Sequence, residues 1–492
     1  MNQTANGGVI KLDAAACERA RLARDARFDG RFFTAVVSTG IYCRPVCPAP
    51  SPKSANVRYY PSAAAAAEAG FRPCLRCRPE ASPGTPGWTG APSSVSRGLR
   101  LIAESALDEG SVEDLAGKLG MGSRHLRRLF LEHLGATPVA IAQTRRVHFA
   151  KRLIDETDLP MTEVAMASGF GSIRRFNATF RGLYGRSPSE LRRHEGARTP
   201  GQYEFRLEYR PPYDWDALIA FLAARATPGV ESVTPEEYRR TITLDGEAGA
   251  ITVGPARGNA LFNSAQDAPG ARRLDGLVSA GPRAGRFALL AHIRFPRAAA
   301  LFRIVERIRR IFDLGADPAA ISAALKKDPQ LRPMIAGHPG LRVPGCWDGF
   351  ELAVRAVLGQ QVSVKAATTL AGRLASAFGA ETQEGILFPT AESLAEADLS
   401  RIGLTSARVR TIHALAQAVT KGLAIEDTAG LTSIPGIGEW TAQYIAMRLG
   451  EPDAFPGTDL YLRAHASRSE SWRPWRAYAA LHIWTSNKQV TK

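Results

Sequence analysis

No stretch of 18 consecutive apolar residues occurs in this sequence, so a membrane-spanning helix is not expected. Nor do the first twenty residues, MNQTANGGVIKLDAAACERA, carry the basic segment and apolar core of a secretory signal. Cysteine is sparse, six residues in 492, which argues against a disulfide framework. Acidic residues are outnumbered: 47 Asp and Glu stand against 63 Lys and Arg, a net charge of +16. A surplus of that sign suits a polyanionic partner, most often nucleic acid, although a merely soluble basic protein has the same composition. A cytoplasmic protein with no membrane partner is expected.

What is present is organised in blocks. The length exceeds one ordinary core, and three or four domains are expected. SPGTPGWTGAPSS, residues 82–94, is rich in Pro, Gly and Ser and reads as a linker; EGARTPGQ, residues 195–202, is a second break. The expected blocks are therefore 1–81, a linker 82–97, 98–194, a linker 195–203, 204–297 and 298–492. The alanine run 63–67 reads as helix. EFRLEYRPPYDWDALIAFLAARA reads as a strand, a Pro-Pro turn and a helix with Leu218, Phe221 and Leu222 on one face. RRTITL and GAITVG are further strands, and from about Ala298 the pattern is mostly helical.

Four of the six cysteines fall close together as C-x3-C and C-x2-C: Cys43, Cys47, Cys74 and Cys77. Zinc takes four soft ligands in a tetrahedron, and two close pairs separated by a folded loop supply that count. On spacing alone a structural zinc clip is the simplest reading. Four thiolates around Zn2+ also leave a dianionic site, and a thiolate is a nucleophile where a thiol is not. Cys17 and Cys346 have no such partners and read as ordinary buried thiols.

FDGRFFTAVVSTGIYCRPVC with NVRYYPSAAAAAEAGFRPCLRCRPE resembles the N-terminal domain of the Ada adaptive-response family, over about residues 28–80. The resemblance implies that Cys43 accepts a methyl group from a methylphosphotriester in DNA. It also makes Arg44, in the matching CRP context, a candidate for holding backbone phosphates. Methylation would make the site monoanionic, which should strengthen DNA binding.

SVEDLAGKLGMGSRHLRRLFLEHLG, residues 111–135, reads as a helix-turn-helix, with Ser111 and Asp114 as its cap pair. Its second helix carries Arg124, Arg127 and Arg128. A second copy, MTEVAMASGFGSIRRFNATFRGLYGRSPSELRR, carries Arg174, Arg175 and Asn177 as exposed residues. Basic residues on short helices suit the major groove and its phosphates, although any one such helix is also compatible with a solvated face. The tandem arrangement, with Gly-Phe, Phe-x3-Phe and Gly-x-Ser-Pro, resembles the AraC/XylS family. That resemblance implies promoter DNA, with RNA polymerase as a further partner of an activator.

LTSIPGIGEWTAQYIAMRLG, residues 431–450, places Gly436 and Gly438 in a tight turn where a backbone can approach a phosphate. With FPGTD at 455–459, GCWDGFELAVRAVLGQQVSVKAA upstream and WRPWRAYAALHIW downstream, it resembles the 3-methyladenine DNA glycosylase II (AlkA) type of helix-hairpin-helix enzyme. The resemblance spans most of 204–486 and is weakest across 258–297. It implies that Asp459 is the catalytic carboxylate, that Trp440, Tyr444 and Trp484 line the base pocket, and that Gln361 fills the gap left by a flipped base. Without it, the three aromatics would read as core. Related enzymes that also cut the backbone carry a lysine where Trp440 stands, so hydrolysis without a Schiff base is expected. Twelve residues separate Asp459 from Trp472, shorter than in AlkA-type enzymes by roughly two helical turns. No Pro-Cys-His-Arg stretch, the second methyl acceptor of Ada, is present.

The expected fold class is multidomain α+β. It comprises a small zinc-bound α/β domain, an all-α tandem helix-turn-helix domain, an AlkA-like mixed α/β subdomain and an all-α helix-hairpin-helix glycosylase domain. The expected function is DNA alkylation response: methylphosphotriester sensing or repair, transcription regulation at promoter DNA, and excision of bases such as 3-methyladenine. The alternative is a regulator whose C-terminal half binds double-stranded DNA without catalysis.

Overall fold

The computed structural model describes residues 12–83, 93–108, 110–192, 199–256 and 287–490. Most of the expected linker 82–97, the residues 195–198 of the second linker, and most of 258–297 lie outside the described residues.

The N-terminal part starts with α1 (Ala14–Leu22), capped by the Asp13 carboxylate. A small sheet follows from β1 (Phe33–Val36), β2 (Ile41–Cys43), β3 (Val57–Tyr60) and β4 (Arg72–Pro73), in the order β3-β1-β2-β4. The alanine run forms α2 (Ala63–Glu68), whose Ala63 and Ala66 pack with Phe33, Ala35, Tyr42 and Phe71.

Next come α3 (Ser93–Ala103), α4 (Val112–Lys118), α5 (Ser123–Leu134), α6 (Pro138–Glu156), α7 (Met161–Ala167), α8 (Ile173–Tyr184) and α9 (Pro188–Leu191). The expected Ser111–Asp114 capping box is present. α3 begins inside the stretch read as linker because Val95, fully buried, already packs into the first helix-turn-helix core.

A mixed segment follows: β5 (Gln202–Glu208), α10 (Trp215–Ala223), β6 (Glu231–Val233), β7 (Tyr238–Leu244), β8 (Glu247–Pro255) and β9 (Ala288–Arg294). The strands form an antiparallel sheet of order β5-β9-β8-β7-β6. The expected helix face is real, since Leu218, Phe221 and Leu222 are all buried.

The remainder is helical: α11 (Leu301–Ile311), α12 (Pro318–Leu325), α13 (Leu331–Gly337), α14 (Gly349–Leu358), α15 (Val364–Phe378), the hairpin β10 (Glu381–Thr382) and β11 (Gly385–Ile386), α16 (Ala391–Ala395), α17 (Ser406–Thr420), α18 (Thr428–Thr432), α19 (Glu439–Arg448), a 3₁₀ segment (Arg463–Trp472) and α20 (Arg476–Val490). Among the described residues no helix is long and apolar enough to cross a membrane.

The blocks are not beads on a string. One apolar core joins Phe149, Phe176 and Phe180 to Phe205 and Ile251 of the sheet and Ile304 of α11. Ion pairs add to it: Arg31–Asp317, Arg145–Glu306 and Arg310–Glu104 at 2.9, 2.6 and 3.1 Å each join different blocks.

Candidate active centres and DNA interface

The thiol cluster is assembled by the small sheet. β2 pairs antiparallel with β1, opposing Cys43 to Thr34, and parallel with β4, opposing Tyr42 to Pro73. The Cys74 N–H donates to the Tyr42 carbonyl at 3.0 Å, which sets the second pair beside the first. The four sulfurs lie within 4.8 Å of one another. Zinc at about 2.3 Å from each of four tetrahedral sulfurs spaces them roughly 3.8 Å apart, so the cluster fits that ion. The Arg44 backbone N–H donates to Cys77 Sγ at 3.3 Å, a bond that favours a thiolate. Cys74 and Cys77 are buried, while Cys43 and Cys47 are half-buried and open to a cleft of about 460 Å³. Exposed Arg72 and Arg76 line that cleft, with Leu183 and Tyr184 from α8 on its far wall.

Arg44 departs from expectation. Its side chain does not face the cleft: just past the end of β2, it is 2% exposed and turned inward. Its Nε donates to Asp29 at 2.9 Å, its Nη1 donates to the Cys77 carbonyl at 3.1 Å, and its Nη2 pairs with both Asp29 and Glu208 of β5. Burial alone disfavours the charge, but Asp29 and Glu208 outweigh it and hold the guanidinium ionised. Arg72 and Arg76, in the second cysteine pair's own context, are the cations that sequence reasoning passed over.

α5 and α8 are alike in local structure. Each ends at a left-handed glycine, Gly135 and Gly185, and each presents a charged outer face. Arg124, Arg127, Arg128, Arg174 and Arg175 are all exposed. Arg127 sits 3.4 Å from Glu113, and Arg128 Nη2 lies 3.0 Å from His125 Nδ1. Asn177 differs from the expected exposed position: it is half-buried, beside the inward-facing Phe176. Ile173, at the start of α8, is 41% exposed and was not singled out from sequence; an apolar side chain there suits a thymine methyl group.

The hairpin before α19 depends on its glycines differently. Gly436 has φ +92°, and a Cβ there would meet Thr411 Oγ1 at 2.1 Å. Gly438 caps α19, and a Cβ there would meet nothing within 4 Å, so this helix N-terminus opens onto free space. Trp440 and Tyr444, one turn apart on α19, stack with centroids 5.3 Å apart and planes 4° apart. Trp484 of α20 closes against Tyr444 at 6.4 Å and 55°.

Asp459 joins this aromatic group through a single oxygen. Trp484 Nε1 donates to Asp459 Oδ1 at 2.9 Å, and the Tyr461 N–H donates to the same atom at 3.0 Å. Among the described residues no hydrogen bond reaches Oδ2, and the residue is half-buried. The short segment after it is anchored at its end: Trp472 is 2% exposed, and its Nε1 donates to Asp328 at 2.9 Å. The Tyr444 hydroxyl accepts from Arg448 Nη1 at 2.9 Å. Burial would raise its pKa, but Arg448 and Arg225 overcome that and hold it at about 8. Neither arginine was singled out from sequence. Gln361, exposed at the turn between α14 and α15, has φ +55°.

Family models match successive parts of the chain. They are the metal-binding domain of Ada over residues 16–80 and a helix-turn-helix domain over 115–194. The AlkA N-terminal domain follows over 204–348 and the HhH-GPD superfamily base excision DNA repair protein over 354–484. DNA-3-methyladenine glycosylase 2 of Escherichia coli is 34% identical over 307 residues, 57% of this chain and 96% of its own. The bifunctional transcriptional activator/DNA repair enzyme Ada of the same organism is 39% identical over 132 residues, 27% of this chain and 35% of its own. A probable bifunctional transcriptional activator/DNA repair enzyme AlkA of Mycobacterium tuberculosis is 41% identical over 507 residues, covering 96% of each chain. With an Ada-type thiol cluster, tandem helix-turn-helix and AlkA-type aromatic centre in one chain, this protein belongs to the family of bifunctional AlkA-type transcriptional activator/DNA repair enzymes.

Proposed function

We propose that this protein repairs alkylated DNA at two centres and regulates transcription through its helix-turn-helix pair. The observation that carries the glycosylase reading is the Trp484–Asp459 bond beside the Trp440–Tyr444 stack. A flipped alkylpurine, electron-poor and often cationic, stacks on the aromatics. The N-glycosidic bond breaks, and the base departs with the bonding pair. Positive charge develops on the sugar, where the Asp459 carboxylate stabilises it and takes a proton from the attacking water. Gly436 and Gly438 let backbone N–H groups approach a DNA phosphate, and Gln361 fills the vacated stack. The shortened segment is compatible with this reading, since the carboxylate keeps its aromatic partner.

At the thiol cluster, Cys43, Cys47, Cys74 and Cys77 hold zinc, which keeps the sulfurs deprotonated. Cys43, one of the two accessible sulfurs, attacks the methyl carbon of a methylphosphotriester. A C–S bond forms, the C–O bond breaks, and its electron pair returns a charged phosphodiester. Arg124, Arg127, Arg128, Arg174, Arg175 and Asn177 contact promoter DNA, and RNA polymerase is the partner of an activator. The functional blocks in this reading are 1–81, 98–194, 204–297 and 298–492, and the place of action is the cytoplasm.

The deciding experiment is release of free 3-methyladenine from methylated duplex DNA by the zinc-loaded chain and by Asp459→Asn. Release lost in the variant supports the reading. No release from the parent protein favours a regulator whose C-terminal half only binds DNA.

A further inference from the structure

Next to the proposed wedge stands a residue that the reaction scheme has not used. Gln360 lies two residues past the end of α14, and its side chain reaches across to the hairpin. Its Nε2 donates to the Gly436 carbonyl at 2.9 Å and lies 3.1 Å from Thr441 Oγ1 on α19. Its backbone carbonyl accepts from Arg408 Nη2 on α17. The same helix supports the hairpin, since Thr411 Oγ1 donates to the Pro435 carbonyl at 2.9 Å. The residue after it, Gln361, is exposed in a left-handed conformation that side-chain-bearing residues rarely adopt. Such a conformation persists where surrounding structure over-determines it.

Three elements thus meet at Gln360: the wedge turn, the hairpin that faces the DNA backbone, and the helix beneath both. Extruding a base requires that the strand be held at its phosphate while a side chain enters the stack. If the two grips could move apart, strain from one would not be delivered to the other.

We propose that Gln360 is a positioning residue that locks the wedge turn to the phosphate-gripping hairpin, so that backbone grip and base extrusion act as one rigid unit. This rests on the glycosylase reading above. Gln360 does not touch the base; it acts through Gln361 and Gly436. The amide is needed as a donor, and an isosteric apolar chain would fill the same space without making the bonds.

The test compares single-turnover excision of 3-methyladenine from fully paired duplex with excision from DNA carrying the lesion in a single-base bulge, where unpairing costs least. Gln360→Met is expected to lower the ratio of duplex to bulge rates about tenfold. Thr441→Val, which removes one of the two partners, should lower it less. Fluorescence of 2-aminopurine beside the lesion should show slower base extrusion by Gln360→Met. Unchanged melting temperatures confirm that both variants fold. An unaltered ratio, or equal loss on both substrates, overturns the proposal. If the parent protein excises from neither substrate, the glycosylase reading falls first and this inference with it; parental excision with an unaltered Gln360→Met ratio rejects this inference alone.

Discussion

Trp484 and Asp459 share a hydrogen bond of 2.9 Å, and it ties the proposed base pocket to the proposed catalytic carboxylate. One indole therefore does two things, packing tilted against Tyr444 and fixing Oδ1 with its N–H. Trp484→Phe keeps an aromatic face and removes the N–H. We expect excision to slow by about tenfold in single-turnover assays, with substrate binding changed far less, because a carboxylate free to rotate stabilises developing charge less well.

Tyr444 should titrate within reach of ordinary buffers. Its pKa of about 8 lies below the unfolded value of about 10, since Arg448 and Arg225 overcome the effect of burial. The ionised phenol therefore adds stability that is full above pH 10 and is lost as pH falls through 8. A difference spectrum near 295 nm between the parent chain and Tyr444→Phe should show one phenol ionising near pH 8. Arg448→Met should move that step upward.

Burial of Arg44 separates two roles cleanly. If it held DNA phosphate, Arg44→Met would flatten the salt dependence of DNA binding by about one phosphate contact. Its pairing with Asp29 and Glu208 leads to a different expectation. Glu208→Gln and Arg44→Met should each lower unfolding stability by about 3 kcal/mol, as loss of one partner from a buried pair does, with the salt slope unchanged. Arg72→Ala and Arg76→Ala should flatten the slope instead. Denaturant melts and binding titrations at several salt concentrations distinguish the two patterns.

Zinc removal should act locally first. The core around Phe33, Tyr42 and Phe71 is small, and metal binding contributes on the order of 10 kcal/mol to the folding of small zinc modules. After chelation, amides of β1 and β2 should exchange rapidly by hydrogen-exchange mass spectrometry while those of α19 stay protected. Equal deprotection of both would contradict this.

Arg174 and Arg175 are exposed at the start of α8. Replacing both with alanine should reduce the slope of log affinity against log salt by about 1 to 2. Asp459→Asn, as a control, should leave the slope as it was.

How much of this was legible in the sequence follows the range of the interactions. Local patterns carried far: Ser111 and Asp114 form their capping box, and the expected strand and the helix that carries Leu218 are present on either side of a bend at Pro211. Trp440 and Tyr444, four positions apart, stack as helical spacing allows. The fate of Arg44 was not legible, because its partner Glu208 lies 164 positions away on another block. Gln360 and Arg225 were missed for the same reason: each draws its meaning from a residue distant in the chain, Gly436 for the one and Tyr444 for the other. Pro- and Gly-rich composition marked breaks between blocks and carried no information about how tightly the blocks close on one another.

That closure bears on how such a chain can be cut or recombined. Glu208 lies at the end of β5, and its counter-ion is Arg44 of the thiol-bearing block. Asp317, fully buried, is paired with Arg31 from the same block. A fragment beginning near residue 204 keeps both acids and loses both cations, leaving two carboxylates without the partners they were packed against. Shuffling one block for a homologous one therefore has to carry its matching charges across the seam. What reads along the chain as a string of exchangeable cassettes behaves in space as an object whose parts have been fitted to each other.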